Sequence, residues 1–479
     1  MTMRSALQNS DIFGSILPGE SWASWRVLLI AAMGERLKPS ERAIFESLTG
    51  RPRGPQERVE ELWAIIGRRG GKTRAVAVLA AYLAALVDWS DQLAPGERAS
   101  LPIISASLAQ ASKALQYLDG IFDGVPALKK LVTAQTAETI SLATRVDIEC
   151  RPASFRTIRG GTFVACIADE VAFWRSDSSA NPDVEILNAV RPSLATTGGM
   201  LACISSPYAQ KGELHSAFKR DFGPNGDPLI IVAKAATCTM NPTLPQRVID
   251  RAYATDAASA SAEYGGDFRT DVESFVSQDV VNSCVETGCY ERPPLAAVRY
   301  TAFIDPAGGS GQDSMTIAIA HREGDIAYLD CLREVKPPFS PDAVVSDFHS
   351  VMAAYHIHSV TGDRWGGEFV QEQFKKRGIR YETSEKPKSD IYKELLPLLN
   401  SRRADLIDHQ KMISQLCNLE RKTARGGRDS IDHPTGAHDD VANAAAGALV
   451  FATGGRRMMT ITPEMLRRAS MPGPATRRF

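Results

Sequence analysis

The chain begins with two stretches of helical spacing, Trp22 to Met33 and Ser40 to Leu48, the second closing on Thr49-Gly50-Arg51-Pro52, residues that stop helices and form turns. From Leu62 the pattern changes. Short apolar runs alternate with helical ones: Leu62 to Ile66 before Ala75 to Val87, Pro102 to Ser105 before Leu108 to Phe122, Phe163 to Ala168 before Val184 to Leu194, and Met200 to Ile204 before Glu213 to Phe218. Alternation of this kind predicts a parallel sheet covered by helices on both faces. Small polar and charged residues crowd Ala254 to Ser277, which marks a junction between domains. A different rhythm starts near Pro294, with strands at Tyr300 to Ile304, Met315 to Ala320 and Ile326 to Leu329. A helix (Pro341 to Tyr355), a strand (Ser359 to Thr361) and a helix (Glu368 to Lys376) follow. Three strands and then helices interleaved with single strands is the order of a ribonuclease H-like fold.

The first strand breaks into Gly67-Arg68-Arg69-Gly70-Gly71-Lys72-Thr73 and a helix follows, so the glycines sit at a helix N-terminus. Unpaired backbone N–H groups and the positive dipole end there favour a polyphosphate. Lys72 is expected to reach the β- and γ-phosphates, and the Thr73 hydroxyl to ligate Mg²⁺. Gly67, Arg69, Gly70 and Gly71 complete the expected nucleotide loop. Position 66, where the usual spacing puts a glycine, is Ile66.

Phe163-Val-Ala-Cys-Ile-Ala-Asp169-Glu170 reads as the other half of an ATPase site, a buried strand delivering two carboxylates at its C-terminal end. Asp169 would hold the Mg²⁺ of ATP and Glu170 would orient the attacking water. A further strand ends in Ser205-Ser206-Pro207, hydroxyls suited to sensing the γ-phosphate. Phosphoryl transfer also calls for an arginine, commonly worth about 10³–10⁵ in rate. Arg68 is the expected one, with Arg69 and Arg159 as the other choices.

Three acidic points mark the second half: Asp305 in Phe-Ile-Asp-Pro-Ala-Gly-Gly, Asp363 in Val-Thr-Gly-Asp-Arg, and Asp439-Asp440 before Val-Ala-Asn-Ala-Ala-Ala. Taken singly, each suits a turn or a helix cap. Taken together they fall where a ribonuclease H-like fold gathers carboxylates, since its first and fourth strands are neighbours and its last helix starts at the same edge. Such a set can hold two Mg²⁺ or Mn²⁺ ions that cut a phosphodiester. Asp305, Asp363, Asp439 and Asp440 are the expected ligands, Asp440 being preferred to its neighbour. Asp313 is placed in support, and His438 is expected to touch a phosphate, move a proton or cap.

Composition narrows the picture only a little. At 479 residues with 44% hydrophobic, the chain has room for roughly two or three domains. Its 55 lysines and arginines against 56 acids give no overall basicity, although a local basic channel suffices for DNA. The eight cysteines form no C-x-x-C pair, which suits the reduced thiols of a cytosolic protein. The N-terminus lacks the apolar core of a signal peptide, and no apolar run is long enough to cross a bilayer. The resulting division is an α/β protein with a lead-in at 1–60 packed on the next domain, a RecA-like (ASCE) P-loop ATPase domain at 61–253 and a junction at 254–293. A ribonuclease H-like nuclease domain at 294–453 and a basic arm at 454–479 complete it.

In its order of motifs, Gly67 to Thr73, Ile167 to Glu170, Ser205 to Pro207, Ile304 to Gly309, Thr361 to Asp363 and His438 to Asp440, the chain resembles the large terminase subunit of tailed bacteriophages. An early arginine in a shortened phosphate loop is common in that family. The resemblance implies a motor that hydrolyses ATP to pump double-stranded DNA into a procapsid and cuts concatemeric DNA. It implies a homo-oligomeric ring that meets a portal protein and a small terminase subunit in the cytoplasm of the infected cell, with no membrane. Two rivals are a helicase-nuclease of DNA repair, which would need a second RecA-like fold, and a non-cutting assembly protein switched by ATP. A small-molecule phosphotransferase would leave 295–450 without a purpose.

Overall fold

The computed structural model describes residues 1–154, 158, 160–176, 179, 181–363, 367–423, 429–434 and 436–454. Arg159 and the basic arm after Gly454 lie outside the described residues. The chain divides into two compact units, Met1–Phe275 with Cys417–Ala437, and Val276–Leu416 with the chain from His438 onward. Among the described residues no helix is long and apolar enough to cross a membrane.

The first unit is built on β1 (Glu61–Ile66), β2 (Ala99–Ser105), β3 (Val132–Gln135), β4 (Thr139–Leu142), β5 (Val146–Pro152), β6 (Ala165–Asp169), β7 (Met200–Ser205) and β8 (Ile230–Ala235). They form one sheet in the order β3-β4-β5-β2-β6-β7-β1-β8. From β5 to β8 every pairing is parallel. β3 and β4 pair antiparallel, so the sheet is mixed where the alternation predicted a parallel one. Only residues 136–138 connect β3 to β4, too few for the crossover that a parallel pair needs.

β1 is buried along its whole length. Leu62, Ala64 and Ile66 join the core beneath the helix Lys72–Ala85, while Trp63 and Ile65 join the core of the opposite face with Ile186, Leu187 and Val190. A strand covered on both faces reads as an unbroken apolar run, which is why it was visible in the sequence. The lead-in belongs to this unit: Met3, Trp25, Leu28 and Phe45 enter the same core as β1. β7 lies between β1 and β6. The serines that end β7 therefore stand between the glycine loop and the acidic pair.

The short β9 (Val272–Ser274) precedes the second unit. That unit contains β10 (Val285–Glu286), β11 (Tyr300–Asp305), β12 (Met315–Glu323), β13 (Ile326–Val335), β14 (Ser359–Gly362), β15 (Arg380–Thr383) and β16 (Ala404–Ile407), in the order β10-β16-β13-β12-β11-β14-β15. β11, β12 and β13 are antiparallel, and β14 lies parallel to β11. The Asp305 and Asp363 ends of two strands are thereby brought side by side. The helix Asp440–Thr453 packs on this sheet, and it comes close because of Gly447: a Cβ there would lie 2.3 Å from the Phe303 ring.

Between Leu416 and His438 the chain returns to the first unit. β17 (Glu420–Thr423) and β18 (Asp429–Asp432) form a hairpin, and β17 also pairs with β9. This differs from the expected unbroken domain at 294–453. The expected junction at 254–293 is likewise divided, its first part lying in one unit and the part from Val276 in the other. The reason is a long-range anchor. Glu420 is fully buried and takes the Tyr208 hydroxyl at 2.7 Å and the Lys211 ammonium at 3.0 Å, partners more than two hundred residues away that no local pattern reveals.

Candidate nucleotide and metal sites

In the first unit, β1 ends at Ile66 and the loop Gly67 to Gly71 leads into the helix Lys72–Ala85. The loop is braced on several sides by side chains. Trp25 Nε1 donates to the Gly70 carbonyl at 2.7 Å, the Thr237 hydroxyl donates to the Arg68 carbonyl at 2.8 Å, and Asn241 Nδ2 donates to the Arg69 carbonyl at 2.8 Å. Gly71 caps the helix in the left-handed region at φ 83°, with the Trp22 ring where a Cβ would be. Arg69 takes the same backbone region at φ 63°. Its side chain is exposed, as is that of Arg68, which reaches Glu263 at 3.1 Å. Thr73 follows Lys72 in the first turn and is partly buried.

Lys72 is buried, and its ammonium donates to the Ile66 carbonyl at 2.9 Å and to Ser206 Oγ at 2.8 Å, with a Glu170 oxygen at 3.5 Å. Burial pulls its pKa down, while Glu170 and Asp169 oppose that. Glu170 itself sits in the left-handed region at φ 52°, a conformation that costs a non-glycine residue about 1 kcal/mol or more. Its carboxylate accepts the Ser206 backbone N–H at 3.1 Å and the Ser205 hydroxyl at 3.2 Å. Asp169 is buried beside it, and burial, with Glu170 adding, pushes the carboxyl up to about 7. The residues thus gathered are Lys72, Asp169, Glu170, Ser205 and Ser206. A buried carboxylate too costly to ionise alone, next to a helix N-terminus, is a donor set that suits a hard divalent cation with a polyphosphate.

The second unit gathers carboxylates by its topology. Ile304 pairs with Gly362, and the Asp363 N–H donates to the Ile304 carbonyl at 3.4 Å, so Asp305 and Asp363 leave adjacent strands together. Asn443 Nδ2 donates to Asp305 at 2.9 Å. Burial raises the Asp305 carboxyl well above the ordinary range, opposed by Asn443 and reinforced by Asp440, Asp439 and Asp363. Asp440 opens its helix and accepts the Ser314 N–H at 2.8 Å. It too is raised, first by burial and then by its acidic neighbours. Asp313, His438 and Asp440 bring ligand atoms within 4.8 Å of one another, and His438 Nδ1 lies 3.0 Å from Asp313. Crowded, partly desolvated carboxylates of this kind fit a divalent cation, whose charge would remove the penalty on each.

Asp439 is engaged differently. One oxygen lies 3.1 Å from the Lys388 ammonium and the other takes the Tyr392 hydroxyl at 2.8 Å. Held in this way, it anchors the turn before Asp440. Sequence reading missed Trp25, Thr237, Asn241, Lys388, Tyr392 and Asn443. Of these only Asn443 carried a local signal: it lies three residues after Asp440, on the same face of the helix.

No protein-family model matches the sequence, and no curated protein matches it. Solved large terminases of bacteriophages match the chain over most of its length. That of bacteriophage HK97 is 16% identical, with 88% of this chain and 98% of that chain covered and a TM-score of 0.38. The large terminase nuclease of the thermophilic phage G20c with bound magnesium is 17% identical over 36% of this chain and 96% of its own, with a TM-score of 0.32. The large terminase of another thermophilic bacteriophage, in complex with ADP, is 12% identical, covering 82% of this chain and 93% of its own, with a TM-score of 0.36.

Proposed function

We propose that the chain is a viral DNA-packaging ATPase and endonuclease of the large-terminase kind, with ATP and Mg²⁺ at the first unit and two Mg²⁺ or Mn²⁺ ions at the second. The observation that carries the reading is the contact of Lys72 with both Ser206 and Glu170, three residues from three separate motifs. Glu170 here serves as the anion of Lys72. A polyphosphate in the glycine loop competes for that ammonium, and Glu170 is then released to orient a water for attack. Mg²⁺, when bound by Asp169 and Thr73, supplies charge neutralisation across the phosphates. Ser205 and Ser206 follow the change because their hydroxyl and N–H hold the Glu170 carboxylate. Arg68 becomes available to the transferring phosphate once it leaves Glu263, which an exposed ion pair permits at little cost.

In the second unit Asp305, Asp363 and Asp440 are the proposed ligands, Asn443 fixes the orientation of Asp305, and Asp439 fixes the turn rather than binding an ion. Divalent ions held by such carboxylates supply Lewis-acid activation of a water and stabilisation of the leaving oxygen of a phosphodiester. Double-stranded DNA, a portal protein, a small terminase subunit and a homo-oligomeric ring at the procapsid, in the host cytoplasm, belong to the same proposal through the order of the motifs. The test is plasmid cleavage and ATP hydrolysis by the purified chain. Lys72→Ala and Glu170→Ala should abolish hydrolysis and keep cleavage, whereas Asp305→Ala and Asp363→Ala should do the reverse. Cleavage that persists in Asp363→Ala or in chelator would overturn the nuclease assignment.

A further inference from the structure

Beyond the nucleotide loop, the first unit contains a cleft of about 240 Å³ whose walls include Arg68, Phe173, Arg175, Tyr208, Arg269 and Lys422. Four of these six are cations, and Glu263 is the one acid among the described lining residues. Two of the cations have partners: Arg68 has Glu263 at 3.1 Å, and Arg269 holds Asp271 with two bonds of 3.0 and 2.7 Å. Among the described residues the other two carry surplus charge. Arg175 donates to the carbonyls of Trp174 at 3.0 Å and Ala172 at 3.4 Å. Among the described residues the one carboxylate paired with Lys422 is Glu420 at 3.8 Å, already taken by Lys211 and Tyr208. Phe173 and Tyr208 lie with ring centroids 5.6 Å apart and give the cleft an aromatic wall.

We infer that this cleft binds the phosphodiester backbone of DNA. A guanidinium and an ammonium with charge to spare, set beside aromatic rings, recognise a phosphate and the sugar or base attached to it. The ligand is not the nucleotide of the hydrolysis site, because Lys72, Thr73, Asp169 and Glu170 do not line the cleft. The cleft is nevertheless contiguous with that site. Arg68 belongs to the glycine loop, and Pro207 follows Ser206 and lines the cleft directly. A DNA phosphate seated there touches the same two segments whose positions depend on Lys72 and Glu170. The inference rests on the proposed function, since it places the DNA of that reading.

The test is binding of a fluorescent DNA duplex to the full chain by anisotropy across a series of salt concentrations, beside calorimetric binding of Mg-ADP. Variants are Arg175→Gln, Lys422→Gln and the pair, with Arg175→Lys to keep the charge and Lys129→Gln to remove an exposed charge elsewhere. Each lost contact should reduce the slope of log affinity against log salt by about 0.9, and the double variant by about twice that. Mg-ADP affinity should stay within about twofold, and Arg175→Lys and Lys129→Gln should keep the wild-type slope. An unchanged slope in a double variant that still unfolds cooperatively overturns the inference, as does a loss confined to Mg-ADP. A wild-type chain that binds no DNA overturns the proposed function as well, which separates the two failures.

Discussion

Asp169→Asn isolates the energetics of the candidate nucleotide site. Burial and Glu170 raise this carboxyl from its ordinary 3.8 to about 7, so between those two values the folded protein keeps a proton that the unfolded chain has released. Stability then falls as pH rises through that window, is lowered in full above about 7, and is unaffected below 3.8. At about 1.4 kcal/mol for each tenfold change, the penalty is about 4 kcal/mol at pH 8 and about 1 kcal/mol at pH 4.5. Asparagine copies the shape of the protonated acid without the charge. The variant should therefore gain about 3 kcal/mol more over wild type at pH 8 than at pH 4.5, whatever constant cost the amide adds. Urea denaturation of both proteins at the two pH values measures this, read on the transition of the first unit. Mg-dependent ATP hydrolysis should disappear in the same variant. Equal stability differences at the two pH values, or a variant less stable at pH 8 than at pH 4.5 relative to wild type, would refute the view that Asp169 is a desolvated carboxylate waiting for a cation.

Three further outcomes follow from contacts described above. Glu170→Gln removes the anion from Lys72 and should lose hydrolysis by at least about 10²-fold while binding Mg-ADP more tightly, as calorimetry can show. Asn443→Ala leaves Asp305 without its donor and should weaken Mn²⁺ binding by about 10–100-fold, measured by titration calorimetry on a fold verified by circular dichroism. Gly447→Ala drives a methyl against the Phe303 ring and should cost about 1–3 kcal/mol in denaturation of the second unit, with Phe303→Leu recovering part of the loss.

The glycine loop, the acidic pair and the strand–helix alternation around them are legible in the chain because each leaves a local pattern, whereas the order of strands in the first sheet is not. Leu62 to Ile66 is apolar because both faces of β1 are buried, and Asp305 and Asp363 end strands that the apolar runs delimit. The antiparallel β3 and β4 were missed because their burial is partial and their residues are largely polar. The braces of the site were hidden for another reason. Trp25 and Asn241 act through single hydrogen bonds to loop carbonyls across 45 and 172 residues, and one such bond leaves no repeat for pattern reading to find. The same holds for Lys388 and Tyr392, whose grip on Asp439 distinguishes it from Asp440 although the two are identical and adjacent.

The return of Cys417–Ala437 to the first unit means that the polypeptide passes between the units at three places in sequence: after Phe275, after Leu416 and after Ala437. One scission therefore cannot yield two complete modules. A fragment starting at Val276 carries β17 and β18 but leaves β9 behind, so β17 loses one of its two neighbours and its open edge can recruit another strand. Glu420 also loses the Tyr208 hydroxyl that donates to it and the Lys211 ammonium that balances its charge. Such a fragment should self-associate on size-exclusion chromatography, and one in which residues 419–436 are replaced by a short glycine-serine bridge should run as a monomer.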